Sequence, residues 1–317
     1  MTYPTSVPFT SRHFHLEQLA QGVYAAISID GTGSMSNAGI IDLGGTTLIF
    51  DTFGTPQAAQ DLRAAAEQLL GQPIAYVVNS HRHGDHFWGN QVFHPAATII
   101  ATERTRADIL MNENMSREEM QREIENDIRE FEAKRAREQD DAKRRSQAAE
   151  IATRRELLSA ISTFERTLPD LTFEQQLTFH GSQRTIELLT YGGGHTASDA
   201  FLYLPADRLL FMGDLLFVRV HPWIGHGDPQ EWQAILQRIE QFDFTIAVPG
   251  HGPLGSREDL ALNRGYLASC LALAEQCMGE GLPLEEATGR KLPAPFDAWE
   301  GAEVFDWNMA FLYNRAK

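Results

Sequence analysis

Short apolar runs ending in polar, glycine-bearing turns recur along this chain, and longer stretches of helical period lie between them. From Gly22 onward the runs 23–29, 38–43 and 46–50 predict β-strands, with Gly44-Gly45 as the hairpin signal between the last two. The stretch 56–70 predicts a helix. Pro56 stands in its first turn, Ala58, Leu62, Ala65, Ala66 and Leu69 share one face, and Gly71 follows its end. A buried strand over 74–78, a short connection at 91–93 and a strand over 98–101 come next. Then the texture changes. Residues 104–168 lack the glycine and proline of the flanking segments and mix charges of both signs. Met115, Met120, Ile124, Ile128 and Phe131 recur at near-helical steps, and Leu157, Leu158, Ile161 and Phe164 repeat the pattern, which predicts a pair of amphipathic helices.

Strands return over 171–179, 185–190, 200–204 and 209–212, with Pro205-Ala206-Asp207 turning between the last two. Helices are predicted over 229–242 and 257–278. The tail 296–313 is rich in aromatics (Trp299, Phe305, Trp307, Phe311, Tyr313) and reads as packing on the body or on a neighbouring subunit. Residues 1–20 are polar and contain proline, so they read as an irregular arm, with His13 and His15 as ordinary surface residues. The two sets of strands and helices are compatible with two mixed sheets flanked by helices. No internal repeat is legible.

Composition narrows the function. The 317 residues suit one large α/β domain carrying an insertion, and 43% hydrophobic content can fill its core. A formal charge of −16 argues against nucleic acid, whose phosphates need a basic footprint. Cys270 and Cys277, the only cysteines, are seven apart in a helical pattern and read as buried thiols. With no twenty-residue apolar span and no basic N-terminus leading into an apolar segment, the expectation is a cytoplasmic protein with no membrane contact.

The chemistry sits where apolar runs end. The strand 74–78 empties into Asn79-Ser80-His81-Arg82-His83-Gly84-Asp85-His86, a His-x-His-x-Asp-His pattern. Imidazole nitrogen and carboxylate oxygen are zinc ligands, and a loop at a strand end can aim several of them inward. His195 follows Gly192-Gly193-Gly194, Asp214 follows Leu209-Leu210-Phe211-Met212-Gly213, and His251 follows Ile246-Ala247-Val248-Pro249-Gly250. Glycine beside each of these three lets main chain turn tightly and come close to a metal. No serine or cysteine stands in a convincing nucleophile setting. The glycines before His195 lack the Lys-Ser/Thr ending of a phosphate loop. Thr196 and Asp199 are expected to fix the His195 imidazole. Trp88 and Trp223 are candidate apolar walls for a substrate, whereas His221 and His226 read as ordinary loop residues.

From about Gly22 to about Gly255, apart from the long charged stretch, these motifs resemble the metallo-β-lactamase superfamily of dinuclear zinc hydrolases. The resemblance implies an α/β fold, the four-layer αβ/βα sandwich, as one domain over 1–317. Its helical insertion would lie at about 104–168 and its helical, aromatic tail at about 257–317. By the same likeness His81, His83 and His195 would hold one zinc. Asp85, His86 and His251 would hold a second, and Asp214 would bridge them, with iron or manganese as alternative metals. Asp51 would support the metal loop. An aspartate at the bridging position is similar to the glyoxalase II and lactonase branches; lactamases proper often carry cysteine in that region. The implied reaction is attack by a hydroxide between the two metals, oriented by Asp85 and Asp214, on the carbonyl of an ester, lactone, thioester or related small acyl substrate. Alternative readings are β-lactam hydrolysis, a mononuclear iron thiol dioxygenase, and a non-catalytic binding protein. The charged helices would then cap the site or, like the aromatic tail, mediate a homodimer.

Overall fold

The structure is a computed structural model that describes residues 4–112 and 115–315. In chain order it contains β1 (Thr5–Val7), β2 (Phe14–Ala20), β3 (Val23–Ser28), β4 (Ala38–Asp42), β5 (Thr47–Phe50), α1 (Pro56–Leu70), β6 (Ile74–Val78), α2 (Gly84–Phe87) and β7 (Thr98–Thr102). Three helices follow: α3 (Glu103–Asn112), α4 (Arg117–Arg137) and α5 (Asp141–Ala160). The second half runs β8 (Leu171–Phe173), β9 (Gln176–His180), β10 (Thr185–Thr190), β11 (Ala200–Leu204), β12 (Leu209–Phe211), α6 (Pro229–Ile239), β13 (Ile246–Val248), α7 (Arg257–Gly279), α8 (Leu284–Ala287) and α9 (Ala302–Arg315).

Eight strands, β1 to β8 in sequential order, make the first sheet, antiparallel up to β5 and parallel from β5 to β8. The second sheet has the order β13-β12-β11-β10-β9 and is antiparallel except where β13 lies parallel to β12. Alternation along the strands explains the layers. Ile41, Leu48, Phe50, Val78 and Ile100 of the first sheet face Ile186, Leu188, Leu202, Phe211 and Val248 of the second. The opposite faces carry helices. Ile40, Ile49, Val77 and Ile99 pack under Ala58, Leu62, Ala65 and Ala66 of α1, while Phe201, Leu210 and Ala247 pack under Trp232, Ile235 and Leu236 of α6 and Leu260 and Leu267 of α7. This is the expected four-layer sandwich. Each such aliphatic side chain taken fully out of water stabilises the fold by about 1.5–3 kcal/mol before entropy is counted.

Local signals act as their chemistry dictates. Thr55 caps α1, its hydroxyl accepting from the Ala58 amide, and Gly71 ends the helix with φ 62°, the left-handed region open to glycine. Ser116 and Glu119 form a capping box at α4, and Asp140 accepts from the amides of Ala142 and Lys143 at α5. Among the described residues no helix is long and apolar enough to cross a membrane.

Four expectations are corrected. Residues 14–20 are a regular strand pairing with β3, and His13 just before it is buried, not a surface residue. The register shift between Gln18 and Ala20 breaks the alternation that would have marked this strand. The apolar run 171–179 is two strands in different sheets, since the chain crosses the sandwich at Glu174 and Gln175. Among the described residues the charged stretch holds three α-helices instead of two. Its long pair, α4 and α5, seats Met120, Ile124 and Ile161 with Leu157, Leu158 and Phe164 against Trp88. Trp88 is therefore packed beneath the helical hairpin, its ring 5.3 Å from that of Phe164, and is not an open substrate wall.

Gly39 of β4 lies close under the second sheet, where an added Cβ would lie 2.6 Å from the buried Phe211 ring. Gly39→Ala should therefore destabilise the fold by about 1–3 kcal/mol through overpacking. Urea denaturation tests this, and an unchanged midpoint would mean that the sheets separate freely there.

Candidate metal centre

Every candidate ligand sits at one edge of the sandwich. His81, His83, Asp85 and His86 occupy the loop and the short α2 that follow β6. His195 lies in the β10–β11 turn, Asp214 in the single-turn helix Gly213–Leu215 after β12, and His251 just beyond β13. Backbone bonds tie these ends together. Ala200 N donates to Ser80 O at 2.8 Å, and Gly250 N donates to Gly213 O at 2.7 Å. Gly250 has no alternative: a Cβ there would fall 1.9 Å from Asp214 Oδ1.

The side chains converge as two groups whose facing nitrogen and oxygen atoms lie within 4.8 Å of one another: His81, His83, His195 and Asp214, and Asp85, His86 and His251. In the first group His83 Nδ1 stands 3.0 Å from His81 Nε2 and 2.9 Å from His195 Nε2. In the second, Asp85 Oδ2 lies 3.4 Å from His86 Nε2 and 3.3 Å from His251 Nε2. Asp214 faces both. Its Oδ2 is 3.1 Å from His195 Nε2 and 3.7 Å from His81 Nε2, and its Oδ1 is 3.1 Å from His86 Nε2 and 3.4 Å from His251 Nε2. Yet Asp214 Oδ1 and His86 Nε2, both buried, make no hydrogen bond. Buried polar atoms that crowd a shared point without hydrogen-bond geometry are what a cation site needs and what a polar core avoids.

The charge balance agrees. Burial would raise the carboxyls of Asp85 and Asp214, but the surrounding imidazoles reverse the effect and hold both well below the usual carboxylate range. Burial and neighbouring imidazoles keep His81 and His83 neutral, with lone pairs free. Burial also disfavours charge on His86 and His251, yet Asp214 and Asp85 outweigh it and raise both, His251 to about 10.

Outer contacts orient this set. Asp51, fully buried at φ 59°, accepts from Ser80 N at 2.7 Å and Ser80 Oγ at 2.8 Å, and its Oδ2 meets His86 Nδ1 at 2.8 Å. Ser80 Oγ also lies 2.9 Å from His81 Nδ1. Carboxylate and hydroxyl partners of this kind fix ring orientation. Asp199 behaves differently from expectation. Its carboxylate accepts from the amides of Gly194 and Thr196 and from the Thr196 hydroxyl, so it shapes the turn, whereas His195 Nδ1 has no hydrogen-bond partner among the described residues.

A family model described as the metallo-beta-lactamase superfamily matches residues 31–251, well over half of the chain. The chain belongs to the metallo-β-lactamase superfamily. Solved structures share its fold: a metallo-beta-lactamase from Pontibacter korlensis is 19% identical with a TM-score of 0.55, covering 84% of this chain and 99% of that one. A metallo-beta-lactamase from Hirschia baltica is 17% identical with a TM-score of 0.58, covering 81% and 98%. At such identities the likeness is one of fold alone. A comparison with curated proteins finds no match.

In this superfamily member the loop between Asp214 and α6 completes the site. Trp223, an expected wall, stacks on His83 with ring centres 5.8 Å apart and planes 21° apart. His226, read from sequence as plain loop, lies 2.8 Å from His83 Nε2. Nothing local marks that contact, since the partners are 143 positions apart. His221 is loop structure as expected, but buried, with Nδ1 2.9 Å from the Tyr266 hydroxyl. The helical hairpin packs on two segments of the body. Ala149 and Ala152 of α5 lie against Gly31 in the loop whose Ser36 hydroxyl bonds Asp85 O, and Ser146 of α5 bonds Glu303 of α9 at 2.6 Å.

Burial lowers His221 to about 4, against about 6.5 in the unfolded chain. The unfolded state therefore binds the extra proton, and the stability present above pH 6.5 is lost as pH falls toward 4, by up to about 3 kcal/mol. His221→Asn should lack this component, so urea titrations at pH 7 and 4.5 should show wild type losing more stability than the variant. Equal losses would refute the burial account.

Proposed function

We propose that this protein is a dinuclear zinc hydrolase acting on the carbonyl of an ester, lactone, thioester or related small acyl substrate. One observation carries the reading: Asp214 presents Oδ2 to one set of imidazoles and Oδ1 to the other, as a carboxylate shared by two cations must. His81, His83 and His195 would hold one ion and Asp85, His86 and His251 the other. The donor set of nitrogens and carboxylate oxygens suits zinc, with iron or manganese as alternative occupants. When bound, such ions supply Lewis acidity, polarising a carbonyl and lowering the pKa of a coordinated water from about 15.7 toward roughly 7.

The chain's own groups do the rest. Asp85 and Asp214 are the catalytic carboxylates of this reading, with unequal roles. The Asp214 side chain is 4% exposed and is committed to the two clusters; that of Asp85 is 14% exposed and opens toward solvent. Asp85 is thus the group placed to orient an attacking water. His251 stacks flat on Phe217, with ring centres 5.0 Å apart, which restrains its imidazole. Trp223 offers an apolar surface beside His83 for the acyl portion.

The test is elemental analysis together with a hydrolysis panel of a p-nitrophenyl ester, a lactone, a glutathione thioester, a cephalosporin and a phosphodiester. About two zincs per chain and turnover of a carbonyl substrate are expected. Turnover of the cephalosporin alone would move the assignment to β-lactam hydrolysis, the activity named in the structural neighbours. A single iron per chain would overturn it. His83→Ala should lose metal and activity together; full activity with two zincs retained would sink the ligand assignment. Asp51→Asn should weaken metal affinity by roughly 10–100-fold by releasing His86, measured by competition with a chromophoric chelator.

A further inference from the structure

The geometry points to His226 as a positioning residue for the ligand His83, holding that imidazole through a histidine–histidine hydrogen bond. The inference rests on the metal reading above and goes beyond it, because it concerns a side chain outside the proposed ligand set.

The His83 ring has one nitrogen in the cluster and one outside it. Nδ1 is the atom that meets His81 Nε2 and His195 Nε2, so it must keep its lone pair for a cation. The ring proton then resides on Nε2, and Nε2 lies 2.8 Å from His226 Nδ1. His83 donates and His226 accepts, which leaves the His226 proton on its own Nε2. Among the described residues no other side chain shares this role, since His83 Nε2 has no further hydrogen bond. Three of the other clustered imidazoles have different outer contacts. His86 has the Asp51 carboxylate and His81 the Ser80 hydroxyl, while His195 Nδ1 has none among the described residues.

A loop histidine orients a ligand only if the loop is itself held, and this one is clamped on three sides. Asn308 of α9 accepts from Ile224 N at 3.0 Å and donates to Pro222 O at 2.8 Å. Asp228 N donates to Gly194 O at 3.0 Å, which joins the loop to the turn that carries His195. Gly227 passes so close to that turn that a Cβ would lie 1.9 Å from Gly194 O. Trp223 packs on His226 with ring centres 4.3 Å apart and stacks on His83, so both imidazoles lean on one indole. Residues of the loop and of α9 therefore set the direction of a proposed metal ligand in the loop after β6.

The test separates the two metal positions. Apo-protein is titrated with Zn²⁺ in competition with a chromophoric chelator, and with Co²⁺ followed by its visible absorption, for wild type, His226→Phe and His226→Gln. Two binding events are expected in wild type. In His226→Phe one of them should weaken by roughly 10–100-fold with an altered cobalt band, while the other stays as in wild type. Glutamine can accept through its side-chain oxygen, so His226→Gln should recover much of the loss; a purely steric role would not predict that rescue. Circular dichroism and melting temperature of the apo-variants establish that they are folded. Two unchanged affinities in His226→Phe would overturn this inference and leave the metal reading intact. Absence of metal binding in wild type would overturn the metal reading, and this inference with it.

Discussion

The site depends on a carboxylate in an expensive place. Asp214 is buried, and an isolated charge there would cost several kcal/mol if nothing compensated it. Four imidazoles surround it instead, brought from β6, β10, β13 and their loops, and hold it ionised. That requirement fixes how the strand ends must meet. Imidazoles from both sheets reach both oxygens of this one carboxylate because β12 ends beside β13 and the inter-sheet core of Phe50, Val78, Phe211 and Val248 packs β6 against them. Packing and electrostatics are here one constraint: apolar faces bring together polar ends that would otherwise repel or stay hydrated.

Much of this was legible from the chain. Residue type and position agree at each candidate ligand, because an apolar strand that ends in His or Asp beside Gly has few uses besides a site. The α1 boundaries were legible for a similar reason: Thr55, Pro56 and Gly71 each satisfy a specific backbone need at a helix end. What escaped was nonlocal or irregular. β2 escaped because a bulge near Leu19 shifts its periodicity by one residue. The run 171–179 looks like one strand because periodicity says nothing about which sheet each half joins. The contact between His226 and His83 leaves no trace in spacing, and Trp88 gives no sign in sequence of lying under the helices.

The two halves of the site also differ in their outer support. His86 leans on a buried carboxylate, which enriches its donor nitrogen; His83 leans on a neutral imidazole, which enriches it less. Cations held in the two positions would meet unequal donor strength even with similar first contacts.

The placement of the helical hairpin has an evolutionary consequence. β7 and β8 are parallel neighbours, so some crossover of a dozen or more residues must join them whatever its sequence. Loop-closure entropy grows only logarithmically, by about 0.6 kcal/mol for each doubling of length, so extending that crossover to residues 103–170 costs the fold little. None of the clustered histidines and aspartates lies within it. Selection could therefore lengthen, recharge or replace this module while the clustered side chains keep their places.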